Sequence, residues 1–116
     1  MDGNKGIYLG TYKFNFPLNS ADLVEFTEGI ALLLKFEALE WSATHYPGGG
    51  ISFTRYLAES HIEIDTYPES NVVEVMVVSC KPIEHWIHIH EYLDMNGFAL
   101  VSENYLSKEH RAWQLC

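Results

Sequence analysis

The chain has 116 residues, 47% of them hydrophobic and 14% aromatic, with 7 Lys and Arg against 16 Asp and Glu for a formal net charge of −9. That length suits one domain over residues 1–116 with a core of its own, and so acidic a surface without a basic cluster excludes a nucleic-acid partner. The longest uninterrupted apolar run, Ile30 to Leu34, is far short of the roughly 20 residues of a membrane span, and the Met1–Lys5 start has neither a signal-peptide core nor an Arg-rich transit pattern, so a cytoplasmic protein with no membrane contact is expected.

In chain order, the aromatic-rich segment 6–16 reads as a strand. Asn19 or Ser20 can cap a helix whose apolar positions Leu23, Phe26, Ile30, Leu33 and Leu34 recur at helical spacing and which runs to about Ala38. Leu39 to Tyr46 reads as a second strand, and Pro47-Gly48-Gly49-Gly50 as a loop. Residues 51–57 and 61–67 read as strands, the latter with Ile62 and Ile64 alternating with His61, Glu63 and Asp65. Pro68-Glu69-Ser70-Asn71 is a turn, and the β-branched run 72–79 is the strongest strand signal, apolar on both faces. A second helix is predicted from Pro82 to a Gly97 cap, burying Ile83, Trp86, Ile87, His90 and Leu93, with a last strand over 98–106. Two helices among strands joined by short turns predict an α+β two-layer sandwich, a largely antiparallel sheet with both helices on one face.

Little of the chemistry announces itself by composition. His85 and His88 share a helical face without a convincing third ligand, and His61, Glu63 and Asp65 alternate as on any half-exposed strand. No metal is expected. His90 falls on the apolar stripe as a hydrogen-bonded core histidine. There is no phosphate-binding P-loop, dinucleotide fingerprint or nucleophile elbow. Cys80 and Cys116 are the only cysteines; a single bridge to the C-terminal residue would be an odd staple, so both are expected as reduced thiols.

One block is more specific. Ala58-Glu59-Ser60-His61 is followed by an alternating apolar strand, by Asp65-Thr66-Tyr67-Pro68-Glu69 and by Cys80, and is preceded by Gly50-Ile51-Ser52. This block resembles, without gaps from Gly50 to Cys80, the bacterial and archaeal S-adenosylmethionine decarboxylases, whose pattern is (S/A)ESH, an apolar strand, HTWPE and a cysteine. Outside it, length, element order and Gly6 agree.

The resemblance implies a proenzyme that cuts itself between Glu59 and Ser60. The Ser60 hydroxyl would attack the Glu59 carbonyl, the ester would eliminate, and the new terminus would hydrolyse to a pyruvoyl group. That group is the cofactor of the family, an electron sink for decarboxylation in spermidine biosynthesis. On the same grounds Cys80 is the proton donor, Ser52 the processing serine, Asp65 the processing and catalytic assistant, and Glu59 and Tyr46 substrate contacts, Tyr46 offering a ring for an adenine or for packing. An unperturbed thiol, with a pKa of about 8.5, is mostly protonated at neutral pH and so can donate. The acidic balance suits a cationic sulfonium or guanidinium substrate, and equally suits solubility.

The block also departs from the family. Asp65 stands where the family has histidine, Tyr67 where it has tryptophan, and Tyr8 where many members have a histidine in the first strand. Aspartate has a lower unperturbed pKa than imidazole, about 3.9 against 6.5, and serves as a base when burial or a neighbour such as Glu63 raises it. Alternatives are a non-processing relative that acts as a binding or regulatory subunit, and a pyruvoyl decarboxylase of arginine or ornithine. The resemblance further implies a two-fold dimer in which one protomer supplies the pyruvoyl serine and the cysteine, and the other the upstream serine and the histidine. A homodimer, or a heteromer with a paralogue that brings the missing histidine, is expected.

Overall fold

The computed structural model describes residues 4–109. Six strands form one sheet: β1 (Asn4–Lys13), β2 (Ala38–His45), β3 (Ile51–Leu57), β4 (Ser60–Tyr67), β5 (Val72–Ser79) and β6 (Ala99–Glu109). Their order is β2-β3-β4-β5-β1-β6, and every neighbouring pair is antiparallel. Helix α1 (Ser20–Leu34) links β1 to β2, and a 3₁₀ turn over Trp86–His88 followed by α2 (Ile89–Met95) links β5 to β6. The helices touch each other as well as the sheet, so both lie on the same face. The architecture is the antiparallel α+β two-layer arrangement expected.

Alternation along the strands sorts the side chains between two faces. Phe53 of β3, Ile62 and Ile64 of β4, Val73, Val75 and Val77 of β5, and Tyr8 and Tyr12 of β1 are buried under the helices with Leu23, Ile30 and Leu93. The opposite face carries Ser52 and Thr54 of β3, His61, Glu63, Asp65 and Tyr67 of β4, and Glu74, Met76 and Val78 of β5. On β1 that face adds Ile7, opposite Val78, and Leu9, opposite Met76. It is polar on β3 and β4 and apolar toward β1, where Leu9 is 47% exposed.

Helix α1 begins where expected. The Asn19 side chain accepts from the Asp22 N–H at 2.9 Å, and the Asp22 carboxylate accepts from the Asn19 N–H at 3.0 Å, a reciprocal cap worth about 1 kcal/mol. Its end comes earlier than Ala38. Lys35 turns left-handed at φ 63° and donates its N–H to the carbonyls of Ala31 and Leu32, which closes the helix before β2.

The second helix is corrected more deeply. Only Ile89–Met95 are α-helical, and residues 80–85 are irregular. The 3₁₀ turn advances three residues per revolution rather than 3.6, which changes the phase of the stripe. Ile83, Ile89 and Leu93 are therefore buried while Ile87 is 52% exposed.

Candidate active site

The sequence block Gly50–Cys80 folds into the β3–β4–β5 meander, and it gathers the predicted residues into two groups rather than one. The first lies where β3 ends and β4 begins. Ala58 and Glu59 form the turn, Ser60 opens β4 opposite Ser79, and Cys80 follows β5 directly. The Cys80 N–H donates to the Glu59 carbonyl oxygen at 3.3 Å. The carbonyl between Glu59 and Ser60 is thus polarised by the backbone of the cysteine. Glu59, Ser60 and Lys81 line a cleft of about 180 Å³ beneath the Lys35–Glu37 link from α1, and Lys81 Nζ lies 4.0 Å from the Glu59 carboxylate. Cys80 is disulfide-bonded in this structure rather than a thiol; the expectation for Cys116 lies outside the described residues.

The second group sits at the far end of β4, on the open face. Ser52 and Asp65 are cross-strand partners, and the Ser52 hydroxyl donates to Asp65 Oδ1 at 2.6 Å. The Tyr46 hydroxyl lies 3.3 Å from Ser52 Oγ. Tyr46, Gly48, Ser52, Asp65, Tyr67 and Glu69 border a cleft of about 480 Å³ formed by the glycine loop. In this loop Gly48 and Gly49 hold φ values of 94° and 99°, which L side chains rarely adopt. The neighbours of Asp65 are acidic. Glu74 is its partner on β5 and accepts from the Tyr67 hydroxyl at 3.1 Å, which raises the Tyr67 pKa. Glu63 is two residues away on the same face. Burial, and then hydrogen bonding to and the charge of Asp65, hold its carboxyl above the usual range. His61, beside Ser60 but on the open face, has its pKa lowered by burial.

Five residue steps of extended strand separate Ser60 from Asp65, roughly 17 Å. One protomer therefore keeps Ser60 and Cys80 apart from Ser52 and Asp65.

Residues 12–107 match the family model described as S-adenosylmethionine decarboxylase. The chain belongs to that family. The decarboxylase fold is also seen directly in a solved structure, the adenosylmethionine decarboxylase from Aquifex aeolicus VF5. That structure is similar with a TM-score of 0.68 at 19% identity, over 93% of this chain and 90% of that one. No curated protein matches the chain. Among the described residues, no helix is long and apolar enough to cross a membrane.

Membership of the decarboxylase family sets the departures in relief, and the structure shows where they fall. Tyr8, which the resemblance set against a first-strand histidine, is wholly buried. Its hydroxyl meets that of Tyr12 at 2.5 Å and donates to Glu103 Oε1 at 2.7 Å, and burial drives its pKa strongly upward. Glu103 Oε2 lies 3.1 Å from His90 Nδ1 without the geometry of a hydrogen bond, so the histidine expected as a hydrogen-bonded core residue is instead half-buried beside the carboxylate at the end of a polar chain. Sequence reasoning missed this chain; the only trace is Tyr8-x-Gly10-x-Tyr12 along one strand face. Among the other histidines, His88 is exposed and pairs with Glu91 at 2.8 Å, and the described residues hold no cluster of three metal-ligating side chains.

Proposed function

We propose that the protein is a pyruvoyl-dependent decarboxylase of the S-adenosylmethionine type that generates its own cofactor by cleavage between Glu59 and Ser60. The observation that carries this reading is the Cys80 N–H bonded to the Glu59 carbonyl. A donor on that oxygen stabilises negative charge as the Ser60 hydroxyl adds to the carbon, and the same contact keeps Cys80 beside the residue that becomes the new terminus. The residues fit the group, since Ser60 lies at a strand end on a cleft. A pyruvoyl carbonyl supplies the electron sink for the carbanion left by departing CO₂. The chain's own contributions are a proton on the Cys80 thiol, once that residue is reduced, and the Ser52–Asp65 bond as a processing aid. A spermidine-pathway role and a cationic sulfonium substrate accord with the acidic rim of the larger cleft, where Asp65 and Glu69 stand with Tyr46.

The roughly 17 Å between the two groups, five steps of extended strand, supports a two-fold dimer. A second copy, laid antiparallel on the open face, would bring Ser52 and Asp65 of one protomer to Ser60 and Cys80 of the other. The apolar strip of Ile7, Leu9, Met76 and Val78 on that face is suited to such contact. A homodimer carries two identical sites; a heteromer with a histidine-bearing paralogue carries unlike ones.

A second reading is favoured by Asp65 itself. A carboxylate that accepts from Ser52 at 2.6 Å lacks the cationic form of imidazole, as in a relative that binds or regulates without processing. Denaturing electrophoresis and intact mass of reduced protein decide between them. Self-processing yields fragments 1–59 and 60–116, and Ser60→Ala stays whole. A wild-type chain that remains whole after days at neutral pH overturns the first reading.

A further inference from the structure

Glu63 is a carboxylate of the open face that the reading above leaves without a task. It projects from the same face of β4 as Asp65, two residues away. Its cross-strand partners are Thr54 and Met76, whereas Asp65 faces Ser52 and Glu74. The remaining titratable groups on this face are Tyr56 of β3, His61 and Tyr67 of β4, Tyr46 at the loop, and Lys5 and Lys13 of β1 on the far side of β5. Glu74 is engaged by the Tyr67 hydroxyl at 3.1 Å, and burial favours neutral His61. No lysine or arginine of β3, β4 or β5 shares this face with the two carboxylates, the two lysines standing on β1 beyond β5. Two carboxyl groups so placed ionise unequally, because the second negative charge is opposed by the first. The Ser52 hydroxyl donates to Asp65 at 2.6 Å, whereas Glu63 faces Thr54 and Met76. The first proton the two groups take up therefore belongs on Glu63.

We propose that Glu63 and Asp65 act as one carboxyl pair in which Glu63 carries the exchangeable proton and Asp65 passes it to Ser52, so that the pair takes the place of the family's imidazole. This rests on the self-processing reading for its use. When the Ser52 hydroxyl turns from Asp65 and gives its proton to a reacting oxygen, Glu63 gives its proton to Asp65 and Asp65 passes one to Ser52. One proton leaves Glu63, one arrives at the reacting atom, and both intermediate groups end as they began. Glu63 is thus a positioning residue that acts through Asp65, and the upward direction of its pKa agrees with its holding a proton.

The pair is tested apart from cleavage by carbon-13 titration of the side-chain carboxyls in Ser60→Ala, which stays whole under either reading. Glu63 is expected to titrate above the ordinary carboxylate range and to return to it when Asp65→Asn is added. An ordinary Glu63 titration, or one that Asp65→Asn leaves unmoved, overturns the pair. Its use is tested by the pH profile of wild-type cleavage, which should fall as pH rises through the range in which Glu63 loses its proton. Glu63→Gln should slow cleavage about 100-fold, the lower end of what a positioned proton donor contributes, and flatten that limb. Glu63→Asp should recover part of the rate. Cleavage with the same pH profile in wild type and Glu63→Gln overturns the relay. A wild type that never cleaves although the paired titration is present removes the self-processing reading and leaves the pair standing.

Discussion

Ser52 and Asp65 face each other across β3 and β4 with the hydroxyl donating to the carboxylate at 2.6 Å. The hydroxyl thereby gains an acceptor for its proton, and the aspartate a donor across the strand pair. Asp65→His replaces this acceptor by a group that titrates near neutrality. The expected outcome is faster cleavage at pH 7, followed as fragment accumulation on a denaturing gel. An unchanged rate would show that Asp65 already suffices.

Stability should carry the signature of the same face. The Glu63 pKa is raised in the fold, so its contribution is fully present below the unfolded carboxylate pKa and is lost as pH rises through the folded value. Glu63→Gln removes that loss. The variant should be more stable than wild type at pH 7.5 by about 0.5 kcal/mol, allowing for solvent screening, and the difference should vanish toward pH 4. Urea midpoints at the two pH values measure it.

The buried tyrosine chain predicts a large effect from a small change. A Cβ on Gly10 would stand 2.6 Å from the Tyr8 hydroxyl and 2.8 Å from Tyr12 Cε1, so Gly10→Ala must push the two rings apart. The cost is expected at about 1–3 kcal/mol, and Tyr8→Phe should fall in the same range by leaving Glu103 short of a donor. Chemical denaturation checks both.

Assembly through the open face predicts that Leu9→Glu, which places a charge at a half-exposed position on that face, shifts the protein toward monomer. Sedimentation equilibrium at micromolar concentration should show wild type as a dimer and the variant as the 13.3 kDa chain. A monomeric wild type would remove the shared-site arrangement.

The strands were legible because β4 alternates with period two, β5 is a β-branched run and the first strand is rich in aromatics. Ile62 and Ile64 set against Glu63 and Asp65 already assign the two faces, and the Asn19 cap fixes the start of α1. The segment after Cys80 was not. His85, His88 and His90 can join a polar or an apolar stripe, and whether Ile87 or Ile89 is buried depends on a 3₁₀ turn with no marker of its own. For the candidate site, local order was enough to place Ser60 next to Cys80, since both flank the β4–β5 pairing. The separation of Asp65, and of its β3 partner Ser52, from Ser60 follows from Asp65 and Ser60 standing toward opposite ends of β4. Tyr8, Glu103 and His90 are drawn together from β1, β6 and α2 by tertiary packing alone, which no local pattern encodes.

The strand order has a consequence for a chain cut at Glu59. The upstream piece would own β1, β2 and β3, and the downstream piece β4, β5 and β6. In the sheet they do not lie side by side, because β1 is seated between β5 and β6. The pieces would be woven rather than hinged. Three of the five strand pairings, β3–β4, β5–β1 and β1–β6, would become contacts between separate polypeptides, so the backbone could be severed while the two products travel together through any separation that leaves hydrogen bonds intact. The freedom released by the cut would be confined to the new ends at Glu59 and Ser60.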